Sequence, residues 1–104
     1  MRTIKTEETI RRELRNKILD KIEKSGYIAK RSGSGYYQGC YFIYKGKFKW
    51  FQQRPYIIII IKTDEIKFVD SYYFRDLDGS YGKGLYDFIK EFERKTKLEL
   101  VKYV

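Results

Sequence analysis

Five isoleucines in succession, Ile57–Ile61, constrain this chain more than any other segment. β-branched side chains lose rotamer freedom in a helix and pack well on a pleated surface, so the run is a strand. Pro55 precedes it and marks where the strand begins. A strand with one wet face alternates apolar and polar residues. This one does not, so it is expected to be covered on both faces. A chain of 104 residues has room for one core. The whole of 1–104 is therefore read as a single domain arranged around that strand.

Thr63-Asp64 is a short turn. It sets Ile61 against Ile66 and Ile59 against Phe68 on one face, and Ile58 against Val69 and Ile60 against Lys67 on the other. Upstream, Tyr37–Tyr44, Lys45-Gly46 and Lys47–Phe51 read as a β-hairpin. Its register pairs Tyr41 with Trp50 and Ile43 with Phe48 on one face, and Phe42 with Lys49 and Tyr44 with Lys47 on the other. Ile10, Leu14, Ile18 and Ile22 recur every four residues between an N-cap at Thr6 and a stop at Gly26, which predicts a helix over 6–24. Tyr81, Leu85, Phe88, Ile89 and Phe92 share one face of a second helix. Residues 27–31 look extended, and 98–104 close as an edge strand. The expected fold class is α+β: an antiparallel sheet of five to six strands with an N-terminal and a late C-terminal helix packed on one face.

Charge is distributed unevenly. No acidic residue lies between Glu23 and Asp64. The forty residues from Lys24 to Thr63 hold eight basic side chains and ten aromatic ones, including Trp50. The chain has 23 Lys and Arg against 14 Asp and Glu, so about eight of its nine net positive charges fall in that stretch. Basic surface interleaved with aromatic rings is the profile of a nucleic-acid contact.

The expected function is therefore a small basic nucleic-acid-binding protein, non-enzymatic, for DNA or RNA. Lys30, Arg31, Lys45, Lys47, Lys49, Arg54 and Lys62 are the candidate phosphate ligands. Phe42 and Tyr44, alternating with lysines on the outer hairpin face, are the candidate stacking rings. Ser32 and Ser34 belong to the Gly/Ser loop Ser32-Gly33-Ser34-Gly35, whose backbone can turn toward a phosphate. The sheet face bearing Phe51, Tyr56, Ile58, Ile60 and Val69 is too apolar to stay wet, and a second copy is its simplest cover. The alternative reading is a structural or protein-interaction module, of viral type, that forms this homodimer and meets an acidic protein.

Other chemistry is poorly supplied. There is no histidine, so the usual proton shuttle is missing. Cys40 stands alone, which excludes an internal disulfide and a cysteine metal cluster and suits a cytoplasmic location. Glu65-Ile66-Lys67 has the E-x-K spacing of metal-dependent nucleases but lacks their upstream acidic ligand. Asp76-Leu77-Asp78-Gly79 matches only half of a calcium loop. No catalytic residue, metal ligand or cofactor is expected. The charged N-terminus is unlike a signal peptide. The longest apolar run, Tyr56–Ile61, is far short of the roughly twenty residues of a membrane span. Scarce Asn, Gln, Met and Cys beside abundant Lys and Glu match a thermophile composition, and an archaeal virus is one source that suits it. One catalytic alternative rests on resemblance. Small basic endoribonuclease toxins of the RelE type, which act through Lys, Arg and Tyr, are similar in size, charge and the order of helix then hairpins. The chain lacks their Tyr-Arg strand pattern and places a long helix late.

Overall fold

The computed structural model describes residues 6–46, 54–63 and 65–101. Helix α1, Glu7–Lys24, starts where the sequence predicts: Thr6 is extended and its hydroxyl oxygen accepts the Thr9 N–H at 3.2 Å. Glu7 and Glu8 complement its positive end, Lys21 and Lys24 its negative end. Ser25 caps it, and Gly26 at φ 93° takes a backbone conformation that a side chain would strain. That reversal sends strand β1, Tyr27–Arg31, straight back along the helix.

Strands β2 (Tyr41–Lys45), β3 (Ile57–Ile61) and β4 (Ile66–Asp70) follow, then helix α2 (Lys83–Thr96) and the short strand β5 (Leu100–Val101). The sheet order is β1-β2-β3-β4-β5, so the isoleucine strand is central. The first four strands are antiparallel and β5 runs parallel to β4. The expected all-antiparallel sheet is therefore mixed, because α2 carries the chain across before it returns beside Ile66. Five strands lie among the described residues, and the one expected at 47–51 lies outside them. The expected strand start at Tyr37 moves to Tyr41, since 36–39 are turn. Helix α2 starts two residues after Tyr81, which instead bridges to Arg75.

Ile61, Ile60 and Ile59 face Ile66, Lys67 and Phe68, the predicted register. Ile58 faces Asp70 rather than Val69, because a bulge shifts the pairing between Ile58 and Ile59.

Both helices pack on one face of the sheet. Ile22 of α1 and Leu85, Phe88, Ile89 and Phe92 of α2 close over Tyr27, Tyr41, Ile43, Ile57, Ile59, Ile66, Phe68 and Leu100. The other face carries Phe42, Tyr44 and Ile58. Ile58 is fully buried although it does not join that cluster. The segment 32–40 crosses this face. Ser32 and Cys40 extend the β1–β2 pairing by a backbone bond of 2.9 Å, and Tyr37 then folds over the sheet. Phe42, Ile58 and Asp70 form one row across three strands. The Tyr37 ring sits 6.2 Å from that of Phe42 and its hydroxyl donates to Asp70, so Tyr37 roofs Ile58. No helix among the described residues is long and apolar enough to cross a membrane.

Candidate nucleic-acid interface

Antiparallel pairing brings the C-terminal ends of β1 and β3 to the same end of the sheet, which places Arg31 near Lys62. The turn at Gly26 lays α1 antiparallel to β1, so its N-terminal half reaches that end too. Two adjoining hollows result. One, of about 400 Å³, is lined by Arg11, Leu14, Arg15, Ile61, Lys62 and Thr63. The other, of about 420 Å³, is lined by Glu8, Arg11, Arg12, Arg15 and Arg31. Arg11 and Arg15, one helical turn apart, line both and join them into one groove.

Among the described residues, five cations thus meet one carboxylate, Glu8, along the groove walls. Arg11 is bound to Glu7 at 2.6 Å, but both side chains are mostly exposed and such a pair holds weakly. Among the described residues, Arg12, Arg15, Arg31 and Lys62 form no ion pair. Leu14 and Ile61 give the groove an apolar floor.

The predicted phosphate ligands separate into two sets. Arg31 and Lys62 line the groove, and Lys30 is exposed beside Arg31 but lies on the opposite face, across from Phe42. Lys45 is exposed at the other end of β2, about 13 Å along the strand from the level of Arg31, and Arg54 is exposed just ahead of β3, farther still from Lys62. The Lys45 ammonium stands 4.0 Å from Glu91 of α2. Lys47, Lys49 and Phe51 lie outside the described residues. The Ser32 hydroxyl donates to the Ser34 carbonyl at 3.0 Å, so these two serines brace their own loop.

The predicted stacking rings are not presented. Tyr44 is buried, and Phe42 is half-buried beneath Tyr37. Among the described residues, the exposed rings are Tyr36, Tyr72, Tyr73, Tyr81 and Tyr86. The face expected to bind a second copy is also used differently. Tyr56 stacks on Phe88, 5.0 Å apart and 3° from parallel, so it belongs to the helix side. Ile58 is buried under Tyr37 and offers no surface, while Ile60 and Val69 are half-buried.

Sequence reasoning missed Arg11, Arg12 and Arg15. The spacing Glu8 to Arg12 suggests a helical ion pair, yet these two do not pair, whereas Asp20 and Lys24 do at 2.8 Å. The signal available was three arginines within five residues on the half of α1 where Ile10 and Leu14 stay partly exposed.

A second polar cluster surrounds Asp70. Its buried carboxylate accepts from the hydroxyls of Tyr37 and Tyr81, the latter at 2.7 Å. It also accepts from Arg75 at 2.5 Å and the Ser71 N–H at 2.7 Å. Burial pushes this carboxyl up, but the donors outweigh it and hold Asp70 below the usual carboxylate range. Burial and the bond to Asp70 together push the Tyr37 hydroxyl well above an ordinary tyrosine. A carboxylate so fully engaged is a lock for the 32–40 segment rather than a proton acceptor. Glu65 and Lys67 of the E-x-K spacing pair with each other at 3.1 Å. Asp78 is taken up by the Ser80 N–H and hydroxyl. No group of three metal-ligating side chains occurs among the described residues. Compared with protein-family models, with curated proteins and with solved structures, the chain matches none.

Proposed function

We propose that the chain is a non-enzymatic nucleic-acid-binding protein whose phosphate contacts are made by Arg12, Arg15, Arg31 and Lys62. The observation that carries this reading is the convergence of cations from α1, β1 and the end of β3 on one continuous groove. Guanidinium groups suit phosphate because their planar forks donate two bonds to two oxygens. The groove reads phosphate and carries no information about base sequence.

The test is a fluorescence-anisotropy titration of a labelled oligonucleotide at several salt concentrations. Four phosphate contacts give a log–log salt slope of about −3.6 on duplex DNA, somewhat shallower on single strands. Arg12→Glu and Arg31→Glu each weaken binding and flatten the slope by about one unit or more. Lys45→Ala and Arg54→Ala, at the far end of the sheet, leave affinity within about twofold, since they contact no phosphate in this reading. No association at 50 mM salt, or a loss confined to the Lys45 and Arg54 variants, overturns it.

A further inference from the structure

We infer that the preferred ligand is a single-stranded nucleic acid, whose bases stack on a platform of Tyr36 and Tyr72 mounted on Tyr37, on the sheet face opposite the groove. The inference rests on the phosphate-binding reading above and adds what the groove cannot supply, a means of telling unpaired bases from a duplex.

Tyr37 is a fixed post. Its hydroxyl is held by Asp70, and its ring is packed over Phe42. Two further tyrosines stand against it nearly at right angles: Tyr36 at 4.9 Å and 87°, Tyr72 at 5.7 Å and 74°. Edge-to-face contact is a preferred arrangement of aromatic pairs, so it steadies the two outer rings without burying them. Tyr36 is 93% exposed and Tyr72 40%. Such rings carry a large apolar face to solvent at low cost in side-chain entropy. Bases stack on rings of this kind in a sequence-tolerant way.

Position links the platform to the groove. Arg31 lines the groove, and the chain runs from it through Ser32, Gly33, Ser34 and Gly35 directly to Tyr36. Lys30, across from Phe42, is on the face that Tyr37 roofs. A flexible strand whose phosphates follow the arginines would round the end of β1 at Arg31, past Lys30, to lay its bases on Tyr36 and Tyr72. In a duplex the faces of the bases are already stacked on one another and unavailable.

The experiment compares a labelled dT12 with a 12-base-pair duplex, at two salt concentrations, for the wild type and for Tyr36→Ala, Tyr72→Ala and Tyr36→Phe. The expected result is at least tenfold tighter binding of dT12. Each alanine variant loses at least about fivefold on dT12, the lower bound for one stacked base. Duplex affinity and the salt slope stay unchanged, because no phosphate contact is removed. Tyr36→Phe keeps the ring and keeps the affinity. Tyr36 is almost wholly exposed, so its replacement does not endanger folding. Binding that is equal for the two ligands, or indifferent to both alanine variants, overturns the platform and leaves the groove standing. Absence of binding to either ligand at 50 mM salt removes the groove reading and the platform with it.

Discussion

Removing one oxygen from Tyr37 should loosen the outer face of the sheet by an amount that depends on pH. In Tyr37→Phe the ring still covers Phe42 and Ile58, so apolar burial is retained, and only the donor to Asp70 is lost. A hydrogen bond to a charged group contributes about 1.5–3 kcal/mol, and a neutral one about 1 kcal/mol. The bond is partly buried rather than sealed, so the lower half of the first range applies: about 1.5–2 kcal/mol at pH 7. Asp70 titrates below its ordinary value when folded. Its contribution is therefore complete above the unfolded carboxylate value, about 3.9, and is lost as pH falls through the folded value. Urea unfolding of wild type and variant should differ by about 1.5–2 kcal/mol at pH 7 and by about 1 kcal/mol or less once Asp70 is protonated. The variant's Asp70, with one donor fewer, should also give up its stability at a higher pH than the wild type's. A difference under about 0.5 kcal/mol at pH 7 would mean that the hydroxyl is bound to water as well as it is to Asp70. A difference that ignores pH would remove the carboxylate from the explanation.

Two further substitutions probe the packing, one beneath this lock and one on the helix side of the sheet. Ile58→Asp puts a carboxyl beneath the Tyr37 ring and should cost about 3–5 kcal/mol in urea unfolding. A stably folded variant of half the wild-type mass in sedimentation would show instead that a second copy provides the cover. Gly84→Ala adds a methyl group 2.7 Å from Phe74 Cε1 and 2.9 Å from its Cδ1. The helix preference of alanine, about 1 kcal/mol, is outweighed by about 1–3 kcal/mol of displaced ring, so the melting temperature should fall. A rise would show that Phe74 yields without cost.

The elements with a strong period were legible in the sequence. Ile10 to Ile22 gave α1 with its cap, and the isoleucine run gave β3 and three of its four pairings with β4. The fourth pairing failed because Asp70 is held by Tyr37, Tyr81 and Arg75, which are 33, 11 and 5 residues from it and lie outside its own strand pair, where strand alternation does not count them. Arg31 and Lys62 stood out because both fall inside the acid-free stretch between Glu23 and Asp64. Arg12 and Arg15 did not, because charge balance along a helix counts neighbours whether or not they touch. Tyr44 was chosen and Tyr36 passed over for a related reason: strand alternation shows which way a ring points, not what later folds across it. The 32–40 loop buries part of the face that β2 turns outward and exposes a ring of its own.

The bulge in β4 has a consequence for how mutable this protein can be. With Val69 removed, plain alternation from Phe68 would still set Asp70 opposite Ile58; with Val69 kept and the irregularity ironed flat, Asp70 would come opposite Ile57, within the layer where the helices pack. A negative charge would then be sealed among hydrocarbon, and Tyr37 would have nothing to fasten to. The count of residues between Phe68 and Asp70 thus decides on which side of the sheet an anion resides, and one further insertion there should be far less tolerated than loss or substitution of Val69 itself.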